Sequence, residues 1–257
     1  MSSNAQAVNP CRFSIAPGIC SITEEGGTAI LNVERGKFYS IIGLGSTIWD
    51  KLVASPQGMT IDDLVGSVSD DFEDATPHEI KGEIENFLDE LNQKGIVYTS
   101  NNEPEQFSET LRTAVDCLVV IPARLIIHLL LKFKLNKIAS YFQLFLVDLI
   151  LVAGGFCELY RTVKGWPVIS KRKAHLEAIN EICVAVDKAC DYYPKRAHCL
   201  QRSAVAACLL RQLGISAEMV IGFRKLPFSS HAWVEVEGIV VNDHINVQKY
   251  YKILERI

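Results

Sequence analysis

Apolar residues in the first hundred positions alternate with polar residues in short runs, and further along the chain they recur every three or four residues. Alternation predicts β-strands, and Gly-containing turns separate the runs. The predicted strands are residues 13–23, 28–34 and 38–42, with a short fourth segment at 96–98. Three helices are predicted between the last two of these segments. Each begins at a hydroxyl side chain that can cap a helix, namely Ser46, Thr60 and Thr76.

The third helix has the clearest pattern. Thr76 and Glu79 flank Pro77, which is the arrangement of a capping box with proline at the first helical position. Its apolar positions share one face, which is therefore predicted to be buried: Ile80, Ile84, Phe87, Leu88 and Leu91. We predict a winged-helix-like N-terminal domain of three strands and three helices over residues 13–98.

The middle of the chain is predicted to be helical. A polar stretch at residues 99–108 indicates a linker, and residues 109–190 read as helix. Residues 138–157 are barely long enough to cross a bilayer, and Asp148 near their centre would be costly in lipid. We therefore expect the apolar helices of residues 117–157 to be buried, or to dock on a membrane surface or a partner protein.

The last part of the chain predicts a helix followed by strands, so the fold class is α+β with a C-terminal domain over residues 109–257. Residues 199–213 predict a helix that Gly214 ends. The remaining predicted elements are a strand at 217–223, a loop at 224–230, and strands at 231–236 and 239–243 joined by a turn at Glu237-Gly238.

Charge is unevenly distributed between the two parts. Residues 1–100 contain 6 Lys/Arg and 15 Asp/Glu, a balance of −9, whereas the remaining residues have a balance of +5. A winged-helix domain could bind nucleic acid, but neutralising phosphates requires Lys and Arg. The acidic first part therefore argues against a nucleic-acid partner.

Eight cysteines occur, and none forms a C-x-x-C pair. Because the N-terminus lacks the pattern of a secretory signal, we expect a reducing cytoplasm. No Cys and His cluster has ligand spacing, so we expect no zinc site and no cofactor.

Cys199 is the candidate nucleophile. It lies at the first turn of a predicted helix, where the helix dipole and free amides lower a thiol's pKa and can hold an oxyanion. No other cysteine has so clear a position at a helix start.

His231 and Asp243 are the candidate base and orienting group. With a tight turn at Glu237-Gly238, these two residues lie nearly opposite each other, and cross-strand neighbours are about 4.5–5.5 Å apart. His198 and His244 remain alternative bases, and Asn242 an alternative orienting group.

These residues also carry a resemblance. The segments Cys199–Ala206, Leu209–Arg211, Val220–Lys225, His231–Glu235 and Val241–Asp243 resemble the lasso-peptide maturation B proteins, which are cysteine proteases of the transglutaminase-like superfamily. The resemblance implies a papain/transglutaminase-like core with Cys199, His231 and Asp243 as catalytic triad.

The N-terminal part resembles the PqqD-like precursor-recognition domain, through Leu31–Tyr39, Leu44–Asp50, Leu52 and Leu64. The resemblance implies that the leader of a precursor peptide adds as a strand beside residues 37–42 and packs on the third helix. The residues expected in that groove are Lys37, Tyr39, Ile41, Phe87 and Leu91.

Together the two resemblances imply a fused leader peptidase of ribosomal peptide maturation. It would cut the bond between leader and core before a partner, an ATP-using asparagine-synthetase-like cyclase, closes the ring. Two alternatives stay open from the sequence: transglutaminase-type acyl transfer to an amine through the same thioester, and a non-catalytic scaffold that delivers the peptide.

Overall fold

The computed structural model describes residues 11–69, 76–100, 119–170 and 175–257. The chain divides into two compact units. The first contains residues 1–32 and 37–106, and the second contains residues 33–36 and 107–257. The predicted linker at 99–108 lies largely outside the described residues, and the predicted domain boundaries stay a prediction.

The described part of the first unit contains five strands and three helices. In chain order these are β1 (Phe13–Ile15), β2 (Ile19–Glu24), β3 (Gly27–Asn32), β4 (Lys37–Ile41), α1 (Leu44–Val53), α2 (Ile61–Val68), α3 (Pro77–Gln93) and β5 (Val97–Thr99). Strands β2, β3 and β4 form one antiparallel sheet in that order, whereas β1 pairs with β5.

The prediction of one strand over residues 13–23 is wrong, because the chain turns at Pro17-Gly18, where Gly18 has φ 74°. Two short strands in different sheets replace it. The capping prediction for Ser46 is also wrong. Gly43 takes a positive φ at the N-cap, so α1 begins three residues earlier than it would with Ser46 as its cap. The buried Ser46 hydroxyl instead bonds Thr28 at 2.6 Å.

The other two caps are confirmed. Thr60 accepts from Asp63 and Thr76 accepts from Glu79, and both helices show complete capping boxes. The predicted face of α3 is buried in the core of this unit, with Ile84 and Leu88 fully enclosed and Phe87 packed at its margin.

The described part of the second unit begins with helices and ends with a sheet. Its elements are α4 (Ile121–Lys132), α5 (Asn136–Lys164), α6 (Leu176–Tyr192), α7 (Cys199–Gln212), β6 (Ala217–Arg224), β7 (Ser229–Val236), β8 (Ile239–Val240), α8 (Val247–Tyr250) and β9 (Lys252–Arg256). The sheet is antiparallel, with the strand order β8-β7-β6-β9.

Continuous helix over residues 109–190 is not observed. Residues 109–118 and 171–174 lie outside the described residues, and the described chain leaves the helix between Gly165 and His175. Pro167 disfavours helix at the preceding residue, which accounts for the break after α5. Helix α5 also contains a kink at Gly155, which has φ 65° and ψ −161°.

Helix α7 is the centre of the second unit. It packs on α5 and α6 on one side and on β6 and β7 on the other. Its small residues Ala204, Ala206 and Ala207 are fully buried, which permits this close approach. Gly214, with φ 87°, ends the helix as predicted. The buried helix therefore fixes Cys199, its first residue, against the sheet.

Candidate active site

Cys199 lies at the N-terminus of α7 and is partly exposed. Burial raises the pKa of its thiol, but the hydrogen bond with His231 and the backbone N–H groups of Ala232 and Leu200 outweigh burial, so the pKa is lowered overall. Other cysteines behave in the opposite way, because burial raises the pKa of Cys183 to about 11 and that of Cys208 to about 12. Cys199 is therefore the thiol prepared to act as a thiolate.

His231 joins the thiol to a carboxylate. Its Nε2 lies 2.8 Å from Oδ2 of Asp243, so the other ring nitrogen is free for Cys199. The hydrogen bond with Cys199 raises the pKa of His231, burial lowers it, and the hydrogen bond with Asp243 raises it further; the pKa is raised overall. A lowered thiol pKa beside a raised imidazole pKa favours the thiolate–imidazolium ion pair.

The predicted hairpin register is confirmed. Glu235 pairs with Val240 and Val236 pairs with Ile239 across the turn at Glu237-Gly238. The prediction of a strand through residue 243 is wrong, because β8 ends at Val240. Beyond β8, the side-chain oxygen of the buried Asn242 accepts a hydrogen bond from the Val234 amide of β7 at 2.6 Å.

Asn242 and Ser203 connect the helix to the strand that carries His231. The Ser203 hydroxyl donates to the carbonyl of Ala232 at 2.9 Å, and the Asn242 amide donates to Ser203 Oγ at 3.0 Å. Since Ser203 lies one helical turn after Cys199, this bond fixes the spacing of thiol and imidazole. Ser203 was not predicted from the sequence, although it stands four residues after Cys199 on the same helix.

Both carboxylate oxygens of Asp243 are held by hydrogen bonds. Its Oδ1 accepts from the His244 amide at 2.6 Å while Oδ2 faces His231. His244 is exposed, and its Nδ1 accepts from the amide of Asn246 at 3.2 Å. His198 is the exposed N-cap residue of α7, and its amide donates to Gln201 at 3.1 Å. The structure therefore brings together Cys199, His231 and Asp243.

Two aromatic side chains pack beside the imidazole on the sheet. Trp233 stacks beside His231 with ring centroids 6.3 Å apart, and Tyr251 lies 5.1 Å from the same ring. A Cβ on Gly222, which pairs with His231, would lie 2.6 Å from the Trp233 ring, so only glycine leaves room for it. This support was not predicted from the sequence.

The expected leader-binding residues fall into two groups. Lys37 is exposed on β4, an edge strand of its sheet, while Tyr39 and Phe87 are partly buried at the margin of the core. Ile41 and Leu91 are core residues, 8% and 2% exposed. Whether these five side chains contact a leader stays a prediction.

Among the described residues, no group of three or more His, Cys, Asp or Glu side chains is placed to hold a metal ion.

Comparison with known proteins identifies both parts of the chain. Residues 145–256 match the family described as transglutaminase-like superfamily, and residues 27–97 match the family described as coenzyme PQQ synthesis protein D (PqqD). The microcin J25-processing protein McjB of Escherichia coli is 39% identical over 62 residues, which is 24% of this chain. The chain spans 30% of the length of that curated relative.

A solved structure, TbiB1 in complex with the TbiA(beta) leader peptide, aligns with 37% of this chain and 99% of its own, at 17% identity and a TM-score of 0.30. The family matches place a PqqD-like segment before a transglutaminase-like segment in one chain. Their combination in one polypeptide, with the McjB similarity, confirms the resemblance to the fused lasso-peptide maturation B proteins.

Proposed function

We propose that this protein is a cysteine peptidase that binds the leader of a ribosomal precursor peptide and cleaves the leader–core bond. One observation carries the proposal: Cys199, at a helix N-terminus and with a lowered pKa, is hydrogen-bonded to His231, which Asp243 holds at 2.8 Å. This arrangement suits nucleophilic attack on an acyl group. The PqqD-type domain in the same chain supports a peptide precursor as the substrate.

The reaction begins from the thiolate–imidazolium pair. The Cys199 sulfur attacks the carbonyl carbon of the leader–core bond, and the carbonyl oxygen becomes an oxyanion. The free backbone amide of Cys199, at the positive end of α7, is one donor to that oxyanion. His231 then gives its proton to the leaving nitrogen, the carbon–nitrogen bond breaks, and the core departs with a free amino terminus.

Hydrolysis of the resulting thioester completes the cycle. His231, now neutral, takes a proton from water, and the hydroxide attacks the thioester carbonyl. The carbon–sulfur bond breaks, the leader leaves with a carboxyl terminus, and the thiolate–imidazolium pair is restored. Asp243 keeps the imidazole oriented in both steps and stabilises its positive charge.

Leader binding is proposed for the first unit, as a winged-helix-like module. The exposed edge of β4 can accept an added strand through main-chain hydrogen bonds. Lys37, Tyr39 and Phe87 are the side chains best placed to contact that strand, because they are not enclosed in the core. Ile41 and Leu91 would shape the groove from below.

The proposed partners follow from the product. A core with a free amino terminus is the substrate that an asparagine-synthetase-like cyclase needs for ring closure, so we propose this enzyme as the partner. We place the reaction in the reducing cytoplasm, because a thiolate nucleophile must stay reduced.

Cleavage of a synthetic leader–core precursor tests the proposal, with products read by mass spectrometry in the presence and absence of the cyclase. We expect the wild type to cut one bond and Cys199→Ala to cut none. Equal products from both proteins would exclude the catalytic role and favour a leader-binding scaffold. With an added amine, a leader product carrying that amine in place of the carboxylate oxygen would instead indicate acyl transfer.

A further inference from the structure

The second unit exposes an apolar stripe along α5. Its members recur every three or four residues on the helix and are all exposed: Ile138, Tyr141, Phe145, Leu149 and Val152. A stripe of this length is unusual on a soluble surface, where large apolar patches mark sites of interaction. The proposed cleavage chemistry makes no use of it.

Helix α4 and its connection to α5 continue this surface. Leu125 and Leu129 are more than half exposed on α4, and Phe133, directly after the helix, is 71% exposed. The buried side of α4 is carried by Ala123, Ile127 and Leu131. The helix is thus apolar on its outer as well as its inner face, and we call the exposed side chains of α4 and α5 together the apolar face.

Positive charge surrounds the turn between the two helices. Lys132, Lys134 and Lys137 are all exposed there, and residues 119–147 contain no Asp or Glu. A groove of about 540 Å³ runs from this turn to α6, where Lys188 adds a cation and Glu181 an acid. On an anionic lipid bilayer, lysines of this kind are attracted to the headgroups, and the neighbouring apolar side chains can enter the acyl boundary.

The inner side of α5 decides how the helix can meet a membrane. By length and composition α5 could cross a bilayer, but 44% of its most apolar window is buried inside the protein. Ser140, Gln143 and Asp148 lie on that inner side. Asp148 accepts from the Tyr193 hydroxyl at 3.0 Å and pairs with Lys195 at 3.0 Å. Crossing would strip Asp148 of these two contacts and bring Ser140 and Gln143 toward hydrocarbon, where lipid offers them no hydrogen bonds.

We propose that the apolar face of α4 and α5 docks flat on an anionic membrane surface, with Lys132, Lys134 and Lys137 at the headgroups. The exposed side chains enter the interface, while the inner side of α5 stays packed on the protein. Docking of this kind would hold the proposed peptidase at the membrane without a spanning segment.

Flotation of the purified full-length protein with phosphatidylcholine vesicles, with and without phosphatidylglycerol, tests this proposal. We expect flotation with the anionic vesicles that weakens as salt is raised, because salt screens the lysines. Lys137→Glu should lower vesicle partitioning by at least about fivefold, since each lysine near an anionic surface contributes that much. Lys249→Glu, an exposed lysine outside the apolar face, should have no such effect.

A second pair of variants separates docking from misfolding. Phe145→Gln should lower partitioning by about tenfold, because it removes an exposed aromatic side chain that the membrane interface would bury. Val53→Gln, an exposed apolar residue of the first unit, should leave it unchanged. Circular dichroism of all four variants checks that each is folded. Absence of flotation with either vesicle would overturn the proposal. Flotation that neither Lys137→Glu nor Phe145→Gln weakens would also overturn it. Self-association in solution that Phe145→Gln abolishes would overturn it too, and would assign the apolar face to a second copy of the chain.

Discussion

Trp233 donates its indole N–H to the carboxylate of Glu235 at 2.7 Å, inside the sheet that carries His231. Glu235 is 1% exposed and also accepts from Gln248 and Arg256. Burial alone would raise the pKa of this carboxyl group, but the hydrogen bonds from Gln248, Trp233 and Arg256 lower it overall. A buried carboxylate thus holds the indole that stacks beside the imidazole, and we expect Glu235 to act as a positioning residue for His231.

Glu235→Gln tests this positioning role. The neutral amide cannot form an ion pair with Arg256, and its single oxygen cannot serve Trp233, Gln248 and Arg256 together. We therefore expect a loss of stability of about 2 kcal/mol, typical of a hydrogen bond to a charged group. Displacement of Trp233 should lower kcat about tenfold with little change in KM, because small misplacements of a catalytic group slow chemistry. Steady-state cleavage kinetics and denaturant unfolding measure both effects.

Glu218→Gln is the matched control, because Glu218 pairs with the same Arg256 nitrogen at 3.0 Å but lies half exposed. An exposed pair contributes little, so both kcat and stability should stay near wild type. A Glu235→Gln enzyme with wild-type kcat and an unchanged pH profile would show that the network serves folding alone.

The triad predicts graded losses of cleavage. Cys199→Ala and His231→Ala should each lower kcat by about three orders of magnitude or more, because each removes a group that the chemistry requires. Asp243→Asn should cost less, since the amide can still orient the ring. Single-turnover cleavage of the precursor measures the three rates, and a wild-type rate for His231→Ala would assign the base to another residue.

The proximity of Cys199, His231 and Asp243 could be predicted because each position depends on local sequence. A helix start, the strand that carries His231 and a two-residue turn at Glu237-Gly238 are short-range signals, and together they bring His231 to Asp243. The strand itself begins two residues before the predicted position, at Ser229. The network around Glu235 depends on β9 and α8, which bring Arg256 and Gln248 to it. Neither element was predicted, because β9 pairs with β6 through residues that lie far apart in the sequence, from Phe223 with Lys252 to Val220 with Arg256.

The errors in the first unit have a similar cause. Residues 13–23 have the alternating pattern of one strand, but β1 pairs with β5, which lies some 80 residues later in the chain. Ser46 has the chemistry of a cap, yet the tertiary contact with Thr28 takes its hydroxyl into the core. Local propensity therefore located the elements, and long-range pairing decided their ends.

The pKa shifts predict a bell-shaped pH profile for kcat/KM. Activity requires the Cys199 thiolate and the His231 imidazolium, so it rises as Cys199 loses its proton and falls as His231 loses its own. The lowered pKa of Cys199 shifts the acidic limb below that of an ordinary thiol. The raised pKa of His231 shifts the alkaline limb above that of an ordinary imidazole. Asp243→Asn removes a negative charge that raises the pKa of His231, so the alkaline limb should move to lower pH.

His198→Gln and His244→Gln serve as controls for this profile. Both side chains are exposed, and neither is hydrogen-bonded to Cys199 among the contacts of the described residues. Both variants should keep both limbs of the wild-type curve. Loss of the alkaline limb in either variant would identify that histidine as the titrating base.

Leader affinity should depend on Phe87 and on the glycine that lies against it. Phe87→Ala removes an aromatic side chain at the margin of the core. We expect it to weaken leader binding about tenfold, as truncation of an aromatic anchor does at other interfaces. A Cβ at Gly45 would lie 2.9 Å from the Phe87 ring, so Gly45→Ala should displace the ring and weaken binding as well. Anisotropy of a labelled leader peptide measures both, with Val53→Gln as control, and unchanged affinity in both variants would place the groove elsewhere.

Asp148 contacts the segment before Cys199 through two side chains, and we expect them to contribute unequally to stability. Tyr193 and Lys195 both reach Oδ2 at 3.0 Å, but the Lys195 side chain is 66% exposed, so solvent screens its pairing. Burial and the bond to Asp148 raise the pKa of Tyr193 to about 12, so the hydroxyl stays a donor throughout the working range. Tyr193→Phe should therefore lower stability by about 1 kcal/mol, and Lys195→Ala should lower it by less than half of that. Urea unfolding of the two variants checks the order, and a larger loss for Lys195→Ala would mean that the ion pair, and not the phenol, anchors the segment leading to the nucleophile.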